Sequence, residues 1–245
     1  MKNGILALIF LTFFTLSAQS DDRPNFVVIF CDDLGYGDIG SFGHPIIQTP
    51  NIDRMAVEGQ KWTQFYVADP VCTPSRAGLL TGRYPIRNGM TSSIRHVFFP
   101  DSPNGLPLEE ITIAEVLKTR SYATAAIGKW HLGHLPKFLP QQQGFDYYFG
   151  TLGANDGGTV AFHENNQAAG KTSDMASLTR LYTDKAIDFL KNKRDKEKPF
   201  ILYVAHTMMH TIIDASPPFR GNSNGGLYGD VVEEFDYETG RLLDV

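Results

Sequence analysis

The sequence predicts an α/β fold with a mostly parallel central sheet flanked by helices. Three observations carry that prediction. Continuous β-rich apolar runs at Asn25 to Phe30 and Phe200 to Ala205 read as strands buried on both faces, as parallel strands are. Leu178, Leu181, Tyr182, Ala186, Phe189 and Leu190 recur at helical spacing between them. Each strand run leads directly into a polar cluster, and the carboxyl ends of strands are where open α/β sheets bind ligands.

Taken in order, Lys2, the apolar run Ile5 to Leu16 and Ser17-Ala18-Gln19-Ser20 have the three-part form of a secretory signal peptide. Residues 1–20 are therefore expected to be removed on export to a secreted or periplasmic location, and 21–245 to fold. The run is shorter than the roughly 20 residues a membrane span needs, and no other segment qualifies, so no membrane association is expected after cleavage. Asn25 to Phe30 delivers Asp32 and Asp33 to its carboxyl end. Asn51 to Gly59 reads as a helix with Ile52, Met55 and Ala56 facing inward. Thr73 is a good N-cap and Pro74 suits a first helical position, which predicts a helix from Ser75 to about Thr81. Thr112 caps a helix through Leu117, and Tyr122 to Ile127 follows as a strand that delivers Gly128-Lys129-Trp130-His131. The strand Phe200 to Ala205 ends at His206 and His210. Ala215 to Gly229, rich in Pro, Gly, Asn and Ser, reads as a loop, and Asp230 to Val245 begins a helix.

A length of 245 residues suffices for one sizeable core, and a net charge of −5 gives no sign of nucleic-acid binding. The two cysteines, Cys31 and Cys72, are open to a disulfide in an oxidising compartment. Cys31 ends an apolar run where a small buried thiol suits a central strand, whereas Cys72 sits at a helix mouth. There the free N–H groups and the positive dipole end favour an anionic ester. Arg76, one turn on, adds a fixed positive fork. Asp32 and Asp33 are adjacent hard-oxygen donors of the kind Ca²⁺ or Mg²⁺ takes.

The series Cys72-Thr73-Pro74-Ser75-Arg76 with Thr81-Gly82-Arg83 resembles the signature of the type I sulfatases, formylglycine-dependent members of the alkaline phosphatase superfamily. Asp32-Asp33-Leu34-Gly35-Tyr36-Gly37-Asp38, Thr49-Pro50-Asn51-Ile52-Asp53, Gly128-Lys129-Trp130-His131-Leu132-Gly133 and Ala205 to His210 extend the likeness over about residues 24 to 245. The resemblance implies an alkaline-phosphatase-like sulfatase fold and oxidation of Cys72 to formylglycine by a formylglycine-generating enzyme. It implies Ca²⁺ held by Asp32, Asp33 and the modified residue 72, and hydrolysis of a sulfated small molecule or glycan. One hydroxyl of the aldehyde hydrate attacks sulfur, the alcohol leaves, and the second hydroxyl expels sulfate. Arg76 matches the arginine that holds the modified residue, Lys129 and His131 the pair that contact sulfate and hydrate, and His210 the histidine that protonates the leaving oxygen. His206 is either a site neighbour or a strand-end packing group.

Met209 and Thr211-Ile212-Ile213 flank His210 where relatives often carry prolines. A polar sulfate contact implied near Gly153-Ala154-Asn155-Asp156 would fall on Ala154, which has no hydroxyl, leaving Asn155 or Asp156 as the substitute. The family also needs a further strand with an Asp-Asn calcium pair and a later lysine, so residues 21–245 are expected to be the N-terminal part of a catalytic domain. Two other readings stay open: a phosphate or phosphonate ester hydrolase of the same superfamily, and an inactive secreted protein that binds sulfated glycans.

Overall fold

The computed structural model describes residues 23–91 and 96–245, so the expected signal peptide lies outside the described residues. Six strands form one sheet in the order β1-β6-β2-β3-β4-β5: β1 is Phe26–Phe30, β2 Ala123–Lys129, β3 Tyr147–Thr151, β4 Val160–Glu164, β5 Gln167–Thr172 and β6 Phe200–Ala205. The first four in that order are parallel, and β4 and β5 are antiparallel. Five helices accompany them: α1 Pro50–Glu58, α2 Cys72–Thr81, α3 Ile113–Lys118, α4 Leu178–Asp188 and α5 Gly226–Leu243. Among the described residues no helix is long and apolar enough to cross a membrane.

The central strands are apolar on both faces because both faces are covered. Ala125 and Ile127 of β2, with Leu202 and Val204 of β6, point into one core with Tyr182 and Ala186 of α4 and Val232 and Phe235 of α5. The alternate residues Ala126, Tyr203 and Ala205 point into the other, with Ala77 and Leu80 of α2 and Ala114 of α3. Gly128 shows how tightly the ends of these strands approach. Its φ of +101° suits glycine, and a Cβ there would collide with the carbonyl oxygen of Ala205.

β6 forms over the expected residues, β2 starts at Ala123 and runs on past Ile127 to Lys129, and α3 carries the expected cap: Thr112 N–H donates to Glu115 Oε2 at 2.8 Å and Glu115 N–H to Thr112 Oγ1 at 3.2 Å. Four readings need correction. β1 is an edge strand pairing only with β6 among the described residues, and Phe26 and Val27 are 38% and 40% exposed rather than buried. Met55 is exposed, while the first turn of α1 meets α5, where Asp236 accepts N–H groups from Asn51 and Ile52 at 3.2 and 2.8 Å. α5 starts at Gly226, inside the expected loop, and Tyr228 on its first turn donates to Asp38 Oδ2 at 2.7 Å. Val71, not Thr73, is the N-cap of α2, which places Pro74 third in the helix, still within the turn whose N–H groups need no intrahelical partner. The β4–β5 hairpin was not read from the sequence, although Val160 and Phe162 alternate ahead of an Asn165-Asn166 turn in which Asn165 adopts φ 56°.

Candidate active site

The carboxyl edge of the parallel strands gathers the functional side chains. Past β1 and β6 the pairing continues through single backbone bonds, Asp32 N–H to Met208 O at 3.1 Å and Met209 N–H to Asp32 O at 2.6 Å. These bonds put Asp32 beside the segment that carries His210. β2 ends on Lys129, and the next residues are tied to the end of β3 by Trp130 N–H to Thr151 O at 2.9 Å and His131 N–H to Leu152 O at 3.2 Å. The mouth of α2 closes the group, because the Thr73 hydroxyl, freed from capping, donates to His131 O at 2.7 Å.

At the centre Asp32 is buried between two cations. Arg76 Nη2 lies 3.1 Å from Oδ1, and Lys129 Nζ contacts Oδ2. Burial alone would raise the Asp32 carboxyl, but Arg76 and Lys129 outweigh it and hold it below the usual carboxylate range. Arg76 is wholly buried; its other nitrogen Nη1 donates to Lys129 O at 3.0 Å and to the Tyr203 hydroxyl at 3.3 Å, with Phe30 beneath the guanidinium. It thus clamps β2, β6 and Asp32 together from below rather than facing the opening. Tyr203 was missed in the sequence, though a lone hydroxyl in an otherwise apolar strand signals a buried partner.

Cys72 Sγ sits above this pair, 3.2 Å from Lys129 Nζ and 3.5 Å from Asp32 Oδ1. A carboxylate oxygen of Asp32, Cys72 Sγ and a ring nitrogen of His210 all lie within 4.8 Å of one another. Burial pushes the Cys72 thiol above its ordinary value, an effect that Lys129 offsets only in part. Cys31 and Cys72 are both free, in keeping with Cys31 as a core residue rather than a disulfide partner; Cys31 packs against the core shared with α4 and α5, and burial pushes its thiol up to about 12.

The three histidines at this edge differ in kind. His210 is half-buried and its Nδ1 meets Thr211 O at 2.6 Å; a carbonyl only accepts, so Nδ1 carries the proton and Nε2 is left as the second functional nitrogen. His131 adopts φ 55°, and by the same logic its Nε2 donates to Phe98 O at 3.0 Å, while Nδ1 is buried with no partner among the described residues. Burial, with Lys129 and Arg76 nearby, pushes His131 down to about 3, so the ring is neutral. His206 is buried between Tyr182 and Phe235, with ring centroids 6.0 and 5.2 Å away, which settles it as a packing group.

The structure therefore brings together Cys72, Arg76, Lys129, Asp32 and His210, with His131 adjoining through Thr73. It does not bring Asp33 into the group of ligating atoms: Asp33 is exposed and adopts φ 56°. Asn155 is fully buried and donates to the His210 segment, so it is not placed as an open sulfate contact. The hard oxygens of Asp32 and Asp33 suit a calcium ion in chemistry, but with residue 72 they number fewer than the 6 to 8 oxygens of a full Ca²⁺ shell.

Comparison with known proteins gives the family. The family described as Sulfatase matches residues 24–245. N-acetylgalactosamine-6-sulfatase of Canis lupus familiaris is 39% identical over 249 residues, covering 94% of this chain and 48% of that protein. Arylsulfatase A of Homo sapiens is 38% identical over 245 residues, covering 90% of this chain and 48% of that protein. The crystal structure of Ps i-CgsB superposes with a TM-score of 0.79 at 32% identity, covering 91% of this chain and 54% of its own. The chain belongs to the sulfatase family and has its fold, and it spans about half the length of the curated relatives it matches.

Proposed function

We propose that this chain carries the nucleophile side of a sulfuric ester hydrolase acting on sulfated glycans, with Cys72 converted to formylglycine. The observation that carries the reading is the setting of Cys72 Sγ at the mouth of α2, 3.2 Å from Lys129 Nζ and 3.5 Å from Asp32 Oδ1, with His210 across the opening. An ordinary cysteine nucleophile works as a thiolate and needs a lowered pKa, whereas burial raises this one. The sulfur stands where the oxygens of a formylglycine hydrate would be. That hydrate supplies one hydroxyl to attack sulfur and a second to expel sulfate. Asp32 accepts a hydrogen bond at this position and Lys129 donates one, so the pair orients an attacking hydroxyl and offsets the charge of the ester. Nδ1 of neutral His131, buried and without a partner among the described residues, is a free acceptor. His210 Nε2, protonated, gives its proton to the departing alcohol oxygen as the S–O bond breaks.

Ca²⁺ would be held by Asp32 and residue 72, with Asp33 lying outside their cluster in this structure, and its charge would help neutralise the sulfate. A glycan substrate is supported by two similar proteins: the canine relative is an N-acetylgalactosamine-6-sulfatase, and Ps i-CgsB was solved in complex with k-i-k-neocarrahexaose. Export is supported by Lys2 and the apolar run Ile5 to Leu16.

Mass spectrometry of the peptide containing residue 72, after coexpression with a formylglycine-generating enzyme, is expected to show the aldehyde; unmodified cysteine sinks the reading. Paired kinetics on aryl sulfate and aryl phosphate should favour sulfate. Tight glycan binding without turnover of either would point instead to an inactive binding protein.

A further inference from the structure

His210 lies on a segment, Thr207 to Asp214, that belongs to no helix or strand. Such a segment does not by itself hold an imidazole within a fraction of an ångström. One side of it is pinned to the residues that follow β1 by Met209 N–H to Asp32 O at 2.6 Å. On the other side stands Asn155, four residues past β3 and fully buried. Its side-chain amide Nδ2 donates to His210 O at 3.0 Å and to Ile212 O at 3.0 Å, so one amide spends both hydrogens on the carbonyls that bracket Thr211. Thr211 O in turn receives His210 Nδ1–H at 2.6 Å and sets the tautomer and direction of the ring. Asn155 is itself held by its own loop, where Gly158 N–H donates to Asn155 O at 3.0 Å. The end of β3 from which it projects is bonded to Trp130 and His131. Hydrogen bonds, joined by the short stretch of backbone from Leu152 to Asn155, thus connect the residues beside Lys129 to the His210 ring.

We propose that Asn155 is a positioning residue for His210, a role that rests on reading His210 as the general acid. By fixing the His210 and Ile212 carbonyls it aligns Thr211 O with Nδ1 and aims Nε2 at the leaving oxygen. Its effect falls on esters whose alcohol is a poor leaving group, because those need the proton most. Sugar sulfates are of that kind, and aryl sulfates, whose phenolate leaves readily, are not.

The test compares wild type, Asn155→Ala and His210→Ala in the formylglycine-bearing enzyme on two esters, 4-nitrophenyl sulfate and a 6-O-sulfated N-acetylhexosamine. Asn155→Ala is expected to lower kcat for the sugar ester about 10²-fold, the loss that a small misplacement of a reacting group brings, and to leave the aryl ester little changed. The ratio of the two rates in one sample does not depend on how much of the variant is folded, and Asn155→Ser, which keeps one donor, should fall between. In the unmodified Cys72 protein, a crystal structure of Asn155→Ala should show the His210 ring moved beyond its present 4.8 Å of Asp32 and Cys72. Equal losses on both esters by Asn155→Ala, beside a sugar-selective loss by His210→Ala, overturn the role of Asn155 and leave His210 as the acid. An unselective loss by His210→Ala overturns the acid reading and the proposal with it.

Discussion

The two sides of the site are built differently. On the side of the proposed nucleophile, Asp32, Arg76 and Lys129 are buried, charged and bonded to one another and to strand carbonyls, and Thr73 ties the mouth of α2 to the turn after β2. On the side of the proposed acid, His210 stands half-exposed on an irregular segment pinned by Met209 and by the amide of Asn155. Buried charge demands complete pairing, which makes the first side rigid and costly to disturb. Neutral hydrogen bonds hold the second, so it is tuned by smaller energies.

Breaking the rigid side gives the largest expected effect. Arg76→Ala leaves Asp32 buried with one partner instead of two and should cost about 3–5 kcal/mol of stability in denaturant unfolding. Asp32 also sets a pH signature. Its folded pKa is lowered, so its contribution is present above the ordinary 3.8 and is lost as pH falls through the lowered folded value; Arg76→Ala should reduce that acid dependence.

Next in size is His206, which underlies the start of the His210 segment. Burial lowers its pKa from 6.5 to about 4, so the unfolded chain binds the proton first, and stability should fall as pH drops from 6.5 toward 4, by roughly 3 kcal/mol in all. His206→Phe keeps the ring contacts with Tyr182 and Phe235 and should flatten that part of the profile, as read by thermal melts across pH. An unchanged profile would mean that His206 is not buried neutral. Thr73→Val removes one buried hydrogen bond to His131 O and should cost about 1 kcal/mol, with kcat falling more than KM changes if the bond aligns the two halves of the nucleophile side. Met55→Lys, on the solvent face of α1 and far from either side, should lie within about 0.5 kcal/mol of wild type in the same unfolding assay.

Much of this was legible in the chain. β6 and β2 were readable because a strand covered on both faces must be apolar throughout, and the cap of α3 because Thr112 and Glu115 satisfy each other locally. Cys72, Arg76, Lys129 and His210 were found because their motifs are local in sequence. The misreadings share a cause in partners remote along the chain. Phe26 to Phe30 has the composition of an interior strand, and only the sheet order shows it at an edge. Thr73 has the chemistry of a cap, but the carbonyl of His131, 58 residues away, takes its hydroxyl. Asn155 gives no local sign of its role, since the two carbonyls it joins lie 55 and 57 residues further on.

The sequence by itself determined the α/β class and the chemical parts of the site, because hydrophobic periodicity and reactive side chains are properties of neighbouring residues. Only the tertiary structure decided how those parts are held. It placed Arg76 against Asp32 as a clamp, turned His131 so that Nδ1 has no partner among the described residues, left Asp33 outside the cluster and hung His210 on Asn155. Hydrogen-bond partners and burial are set by which strand ends meet, and that depends on the packing of the whole sheet.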